Sequence, residues 1–203
     1  MKPLGLILAF TPLIAFSLLS RFLPHDLIGV AGLVAAVCAV IAMLASRPIW
    51  PPKILNVSQV VIFGVIAVLG FAVSKGDDRW LSTWGGAGVG LVLGLVILAL
   101  VPVVPFTEQF ARESTPQAYW SSPTFIKINR VLSAAWGAAI FLIGVSRVIA
   151  AAINGHTTRR LPELLLGLAV PVIIIIYMLK FSKSYPERVT HEQAPASAGS
   201  RPG

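Results

Sequence analysis

Three features of this chain predict an all-α, polytopic transmembrane helical bundle. Apolar residues make up 56% of its 203 residues and charged residues only 12%, against about 45–50% and about 25% in soluble domains. The apolar residues gather into six runs, most of them near the ~20 residues with which a helix crosses ~30 Å of hydrocarbon. Short polar connections separate the runs, which makes consecutive helices antiparallel neighbours.

Taken in order, the expected spans are 4–20 (LGLILAFTPLIAFSLLS), 27–45, 54–73, 80–104, 131–153 and 161–179. The first is short and follows Lys2, in the manner of a signal peptide. No A-x-A cleavage site follows it and further spans come directly after, so it is expected to be retained; its length leaves open whether it fully spans. Pro12 and Pro171 fall inside helical stretches, where neighbouring helices can satisfy the backbone groups that a proline frees. The connections 21–26, 46–53, 74–79 and 154–160 are brief. The transmembrane domain is expected to fill residues 1–183. From Ser184 onward the chain (SYPERVTHEQAPASAGSRPG) is polar, aperiodic and rich in Pro, Gly and Ala, and this composition predicts a disordered cytoplasmic tail.

Orientation follows from Lys and Arg. With the N-terminus inside, the inner side carries Lys2, Arg47, Lys53, Arg112, Lys127, Arg130, Lys180, Lys183, Arg188 and Arg201, ten residues against the five of the outer side, Arg21, Lys75, Arg79, Arg159 and Arg160. Both termini are then cytoplasmic and the expected location is the inner (plasma) membrane. The net charge of +8 calls for no nucleic acid, because anionic headgroups attract basic inner loops at about 1 kcal/mol per residue. Membrane lipids are one expected partner.

One connection is long. Residues 105–130 (PFTEQFARESTPQAYWSSPTFIKINR) lie on the inner side between the fourth and fifth spans. Pro105 is expected to stop the preceding helix. Ser122-Pro123 pairs a capping residue with proline at a first helical position, which predicts one helix over 123–153, about 46 Å long at ~1.5 Å per residue. Its first turns must stand clear of the hydrocarbon. Upstream, TEQFARES reads as a short amphipathic helix with Phe106 and Phe110 on one face and Glu108 four residues before Arg112. Tyr119 and Trp120 suit a membrane interface. Two readings stay open: a connector lying on the surface, or a docking surface for a partner or a lipid headgroup, made by Glu108, Arg112, Glu113, Tyr119, Trp120, Asn129 and Arg130, since long loops in compact bundles are often functional.

Within the spans, Gly86, Gly90 and Gly94 repeat every four residues on one helix face, a spacing that lets helices approach closely, within one chain or between two. No G-x-G-x-x-G register fits them. Arg147 is the one strong charge inside an expected span; it either snorkels outward or pairs with Glu163 or Asp78. His25, Asp26, Asp77, Asp78, His156 and Glu163 gather on the outer side without ligand spacing. The single cysteine, Cys38, sits in an apolar run and is expected to pack as a small hydrophobe. No nucleophile, base and orienting group occur together, so the expectation is a non-enzymatic protein without cofactor or metal.

The order of MKPLGLILAFTPLIAF, FGVIAVLGFAVSKGDDRWLSTW and INRVLSAAWGAAIFLIG, spread over residues 1–150, resembles the intracellular septation protein A family of bacterial inner-membrane proteins. The resemblance implies a role in cell-envelope maintenance or division through contact with other membrane or envelope proteins. A small carrier or channel, with a polar path near Asn56, Gln59, Arg147 and Glu163, is the alternative. Neither reading sets the oligomeric state.

Overall fold

A computed structural model describes residues 3–46, 52–72, 78–154 and 165–198. These residues are helical, without strands, and form the expected helical membrane bundle. In order they give α1 (Pro3–Phe22), a 3-10 turn (His25–Leu27), α2 (Ile28–Ala45), α3 (Ile54–Ala72), α4 (Asp78–Leu100), α5 (Phe106–Ala111), a second 3-10 turn (Gln117–Tyr119), α6 (Pro123–Asn154), a π turn (Leu165–Ala169) and α7 (Val170–Ala198). Among the described residues five segments, His25–Ala45, Ile54–Ala72, Thr83–Leu100, Pro123–Ile153 and Leu165–Thr190, are long and apolar enough to cross a membrane, and the apolar stretch of α1, Leu8–Phe22, is shorter. The protein is a multi-pass membrane protein.

Two helix pairs form the frame. In the α4–α6 pair, a Cβ built on Gly90 would stand 2.9 Å from Gly144 Cα, one on Gly144 2.5 Å from Leu91 N, and one on Gly94 2.6 Å from Phe141 N. The two backbones touch, as small residues at helical spacing allow. Gly86, Gly90 and Gly94 thus pack within the chain, on a face of α6 whose glycines the spacing on α4 alone could not name. In the α2–α3 pair a Cβ on Gly70 would come 2.5 Å from Gly29 N, and one on Gly32 2.8 Å from Ala67 N. Residue numbers rise on one helix as they fall on the other in both pairs, so both are antiparallel.

α1 fills the space beside these pairs. Phe16 packs on Phe63 with ring centroids 5.1 Å apart, and Phe10 stacks on Trp136 at the same distance. Pro12 is buried in α1, and one turn before it the Ala9 carbonyl accepts a hydrogen bond from Gln59 Nε2 of α3 at 2.9 Å, which ties this part of α1 to a neighbouring helix. One apolar core (Phe16, Ile28, Ala31, Phe63, Leu81, Val89) lies toward the α1–α2 turn, and a second (Leu55, Ile97, Phe106, Phe110, Trp136, Met178) toward the connector.

α7 is peripheral. Only 6% of its span is buried, against 33–39% for the other four. It is held to α6 by Trp136 Nε1, which donates to Ser182 Oγ at 2.9 Å, and by Ser146 Oγ, which donates to the Leu166 carbonyl at 3.0 Å. The second bond lies at the π turn that precedes Pro171. A proline lacks the N–H for the carbonyl four residues back and its ring crowds that carbonyl, and a π turn is one way a helix absorbs the mismatch.

Three expectations need correction. α4 ends at Leu100 rather than at 104, followed by a turn over 101–103; Pro102 is the breaker, because a proline disfavours the helical conformation of the residue before it, and Pro105 instead caps the start of α5. Residues 184–198, expected to be disordered, continue α7. Extension of an existing helix needs no new nucleus; Phe181 stacks on Tyr177 and Tyr185 at 6.3 and 5.2 Å, and Thr190 Oγ1 bonds the Pro186 and Glu187 carbonyls. Residues 199–203 of the expected tail lie outside the described residues. The expected surface of seven connector residues also divides, as follows.

Candidate functional site

The connector is folded onto the bundle. α5 turns its apolar face inward, with Phe106 and Phe110 each 2% exposed and their rings 6.3 Å apart, edge to face. Between them Thr107 is fully buried against α6. Its N–H donates to Ser133 Oγ at 3.1 Å, and its hydroxyl donates to the Asn129 carbonyl at 2.8 Å. That hydroxyl has one proton, so in the 2.8 Å contact between Thr107 Oγ1 and Ser133 Oγ serine is the donor. The relay pins α5 to the first turns of α6, at a position where apolar periodicity alone offers no clue.

A second set of bonds pins α5 to α3. Gln109 Oε1 accepts the Ile54 N–H at 2.9 Å, one of the donors that the start of a helix leaves unpaired. Lys53 forms an ion pair with Glu113, the two side chains 7% and 25% exposed, and its Nζ stands 4.2 Å above the Phe110 ring. At the other end of the connector Ser122 Oγ accepts the Phe125 N–H at 3.2 Å, so Ser122 caps α6 as its sequence predicts. Trp120 is fixed by an Nε1 hydrogen bond to the Thr115 carbonyl at 2.9 Å.

These constraints leave a groove of about 500 Å³, lined by Val103, Pro105, Glu108, Arg112, Gln117, Trp120, Ser121, Ile126 and Arg130. Glu108 and Arg112 pair along one face of α5, the i,i+4 pair the sequence predicts, and the Arg112 guanidinium lies 4.9 Å from the Trp120 ring centre. Arg130 enters from α6 and donates to the Pro102 carbonyl at 3.3 Å. Two guanidinium groups, one carboxylate and an indole therefore share a cleft open to the surroundings of the bundle end.

Of the seven residues expected to form one surface, Glu108, Arg112, Trp120 and Arg130 line this groove. Tyr119 is exposed but outside it. Glu113 points toward Lys53. Asn129 is 2% exposed and cannot be met from outside; its Nδ2 bonds the Phe125 carbonyl at 2.8 Å. Polarity marked both as surface residues; the docking of α5 covers Asn129, while Glu113 stays partly exposed and is turned to Lys53. Thr107, Ser133, Lys53 and Gln109, unforeseen, do the positioning. One signal was present for Lys53: it stands just before α3, three residues ahead of Asn56 and six ahead of Gln59, and all three are buried.

Away from the groove, Arg147 lies in the α4–α6 seam, its guanidinium carbon 3.5 Å from where a Cβ on Gly86 would sit. The side chains of its expected partners Asp78 and Glu163 lie outside the described residues, as do Asp77 and His156. His25 and Asp26 occupy the turn between α1 and α2. Among the described residues no group of three or more His, Cys, Asp and Glu could hold a metal ion. Cys38 is half-buried on α2. Comparisons with protein-family models, with curated proteins and with solved structures found no match.

Proposed function

We propose that the chain is a non-enzymatic protein of interaction type in the inner membrane of a bacterial cell, with the connector end as its cytoplasmic recognition surface. What carries this reading is the way the connector is held. Two independent attachments, Thr107 to α6 and Gln109 with Glu113 to the start of α3, fix a segment that a mere linker would leave loose. A rigid presentation of charged and aromatic side chains lowers the ordering cost of binding. The inward orientation rests on the excess of Lys and Arg at this end. The role in envelope maintenance or septation rests on the family resemblance.

The test is a strain in which Glu108 and Arg112 are both replaced by alanine in the chromosomal copy. Impaired septation or envelope integrity is expected at unchanged protein abundance; normal growth and septation would remove the proposal.

A second reading, a small carrier or channel, is favoured by one observation. Asn56 and Gln59 are 1% and 0% exposed, and among the described residues Asn56 Oδ1 and Gln59 Oε1 find no hydrogen-bond partner, although a buried amide oxygen is costly to leave unpaired. Purified protein that moves no solute across liposomes counts against it.

A further inference from the structure

We infer that the groove between α5 and α6 is a binding site for the headgroup of a monoanionic phospholipid, of the phosphatidylglycerol type. This rests on the reading above that the connector end faces the cytoplasmic leaflet, and it names one ligand of that surface.

The charge of the groove sets the ligand's charge. Arg112 is neutralised by Glu108, whereas among the described residues no ion pair is found for Arg130, whose described hydrogen bond goes to a backbone carbonyl. The cleft therefore carries one net positive charge. A guanidinium has five N–H donors in a planar fork suited to phosphate oxygens, and each arginine here commits one of them to a described hydrogen bond. One phosphodiester between the two arginines would balance the cleft, and a second negative charge would meet Glu108.

The surroundings select a lipid as the bearer of that phosphate. Val103, on the rim, is 74% exposed, and Val104 beside it is 36% exposed. Both follow the end of α4, where the apolar span stops, and Ile126 of α6 lines the groove together with Val103. Acyl chains would lie along this apolar edge, and the indole of Trp120 would sit at headgroup level, its usual place at an interface. A free phosphate would gain nothing from Val103 or Ile126.

The experiment uses the full-length protein reconstituted in phosphatidylcholine bilayers. The relative association of spin-labelled phosphatidylglycerol and spin-labelled phosphatidylcholine is read by electron spin resonance. The wild type is expected to prefer phosphatidylglycerol, and Arg130→Gln to lower that preference about tenfold at one site, the loss of one charge-assisted contact. Val103→Asp, at an exposed position that carries little folding risk, places a carboxylate on the rim and is expected to do the same. Lys127→Gln removes an equal charge from α6 outside the groove and should change the preference less than twofold. Equal effects of Arg130→Gln and Lys127→Gln would overturn the proposal in favour of diffuse surface charge. Preference retained in both Arg130→Gln and Val103→Asp, or displacement of the lipid by millimolar inorganic phosphate, would overturn it as well. Preference that is lost in the two groove variants supports the site even if the Glu108/Arg112 strain septates normally, so the lipid site and the septation role fail separately.

Discussion

Where α4 crosses α6, the backbones of Gly90 and Gly144 meet with no side chain between them. Where α5 meets α6, Thr107, Ser133 and the Asn129 carbonyl are joined by directed hydrogen bonds of 2.8 to 3.1 Å. The first contact is defined by what is absent, so any added atom offends it. The second is defined by matched donors and acceptors, so it tolerates changes of size better than changes of chemistry. Apolar surface gains little by leaving lipid for a helix neighbour, and close packing has to supply the cohesion of the mid-membrane seam. At the connector, water is near, and polar bonds fix a position rather than hold the bundle together. The structure thus separates its means of cohesion from its means of presentation.

The contrast can be broken most severely at the seam. Gly144→Leu should yield no monodisperse protein in detergent, because even its Cβ would fall 2.5 Å from Leu91 N. Gly144→Ala should cost about 1–3 kcal/mol through overpacking, read as a lowered melting temperature in detergent; an unchanged melt would show that the helices do not touch there. Next comes Thr107→Val, which keeps the shape and removes the relay. It should cost about 1–3 kcal/mol by leaving a buried acceptor and donor unmatched, and Ser133→Ala added to it should cost much less than when made alone.

Glu113→Gln is smaller again, about 1–2 kcal/mol, since it strands a mostly buried Lys53 whose partner is itself partly wet. Its sharper signature is local. Hydrogen exchange should quicken over 53–56 and 106–113 while 86–98 stays protected, and uniform loosening would deny the separation of the two regions. Smallest of all, Tyr119→Ala should stay within about 0.5 kcal/mol of the wild type, because the side chain is exposed and outside the groove.

How much of this was legible beforehand differs between the same two regions. On α4 the four-residue repeat of Gly86, Gly90 and Gly94 announces a close contact. Gly137 and Gly144 on α6 are seven apart and read as ordinary members of an apolar run until α4 is laid against them. The spans follow from apolar length, which is a local property. The end of α4 was misplaced because two prolines, Pro102 and Pro105, compete as terminators and only the first acts. At the connector, the helix of α5 and the cap of α6 were readable from Phe106, Phe110, Ser122 and Pro123. The inward turn of α5 was not, since a lone threonine in a polar segment looks like solvent-facing polarity. Thr107 becomes a core residue only through Ser133, 26 positions later. The continuation of α7 past 184 escaped for a related reason: Tyr177, Phe181 and Tyr185 lie at helical spacing, but the composition beyond them hides it.

α6 has 32 residues, about 48 Å of unbroken rod, and it meets the groove with Ile126 and Arg130, the α5 relay with Ser133, and α4 beside Gly86 with Arg147. Gly144 is its tightest point of contact, about 30 Å from its first residue. Geometrically that makes a lever with its fulcrum deep in the bilayer: a tilt of about 5° there carries the connector about 3 Å and swings Arg147 the opposite way. Whatever settles on the connector rim therefore has a stiff mechanical link to the opposite leaflet.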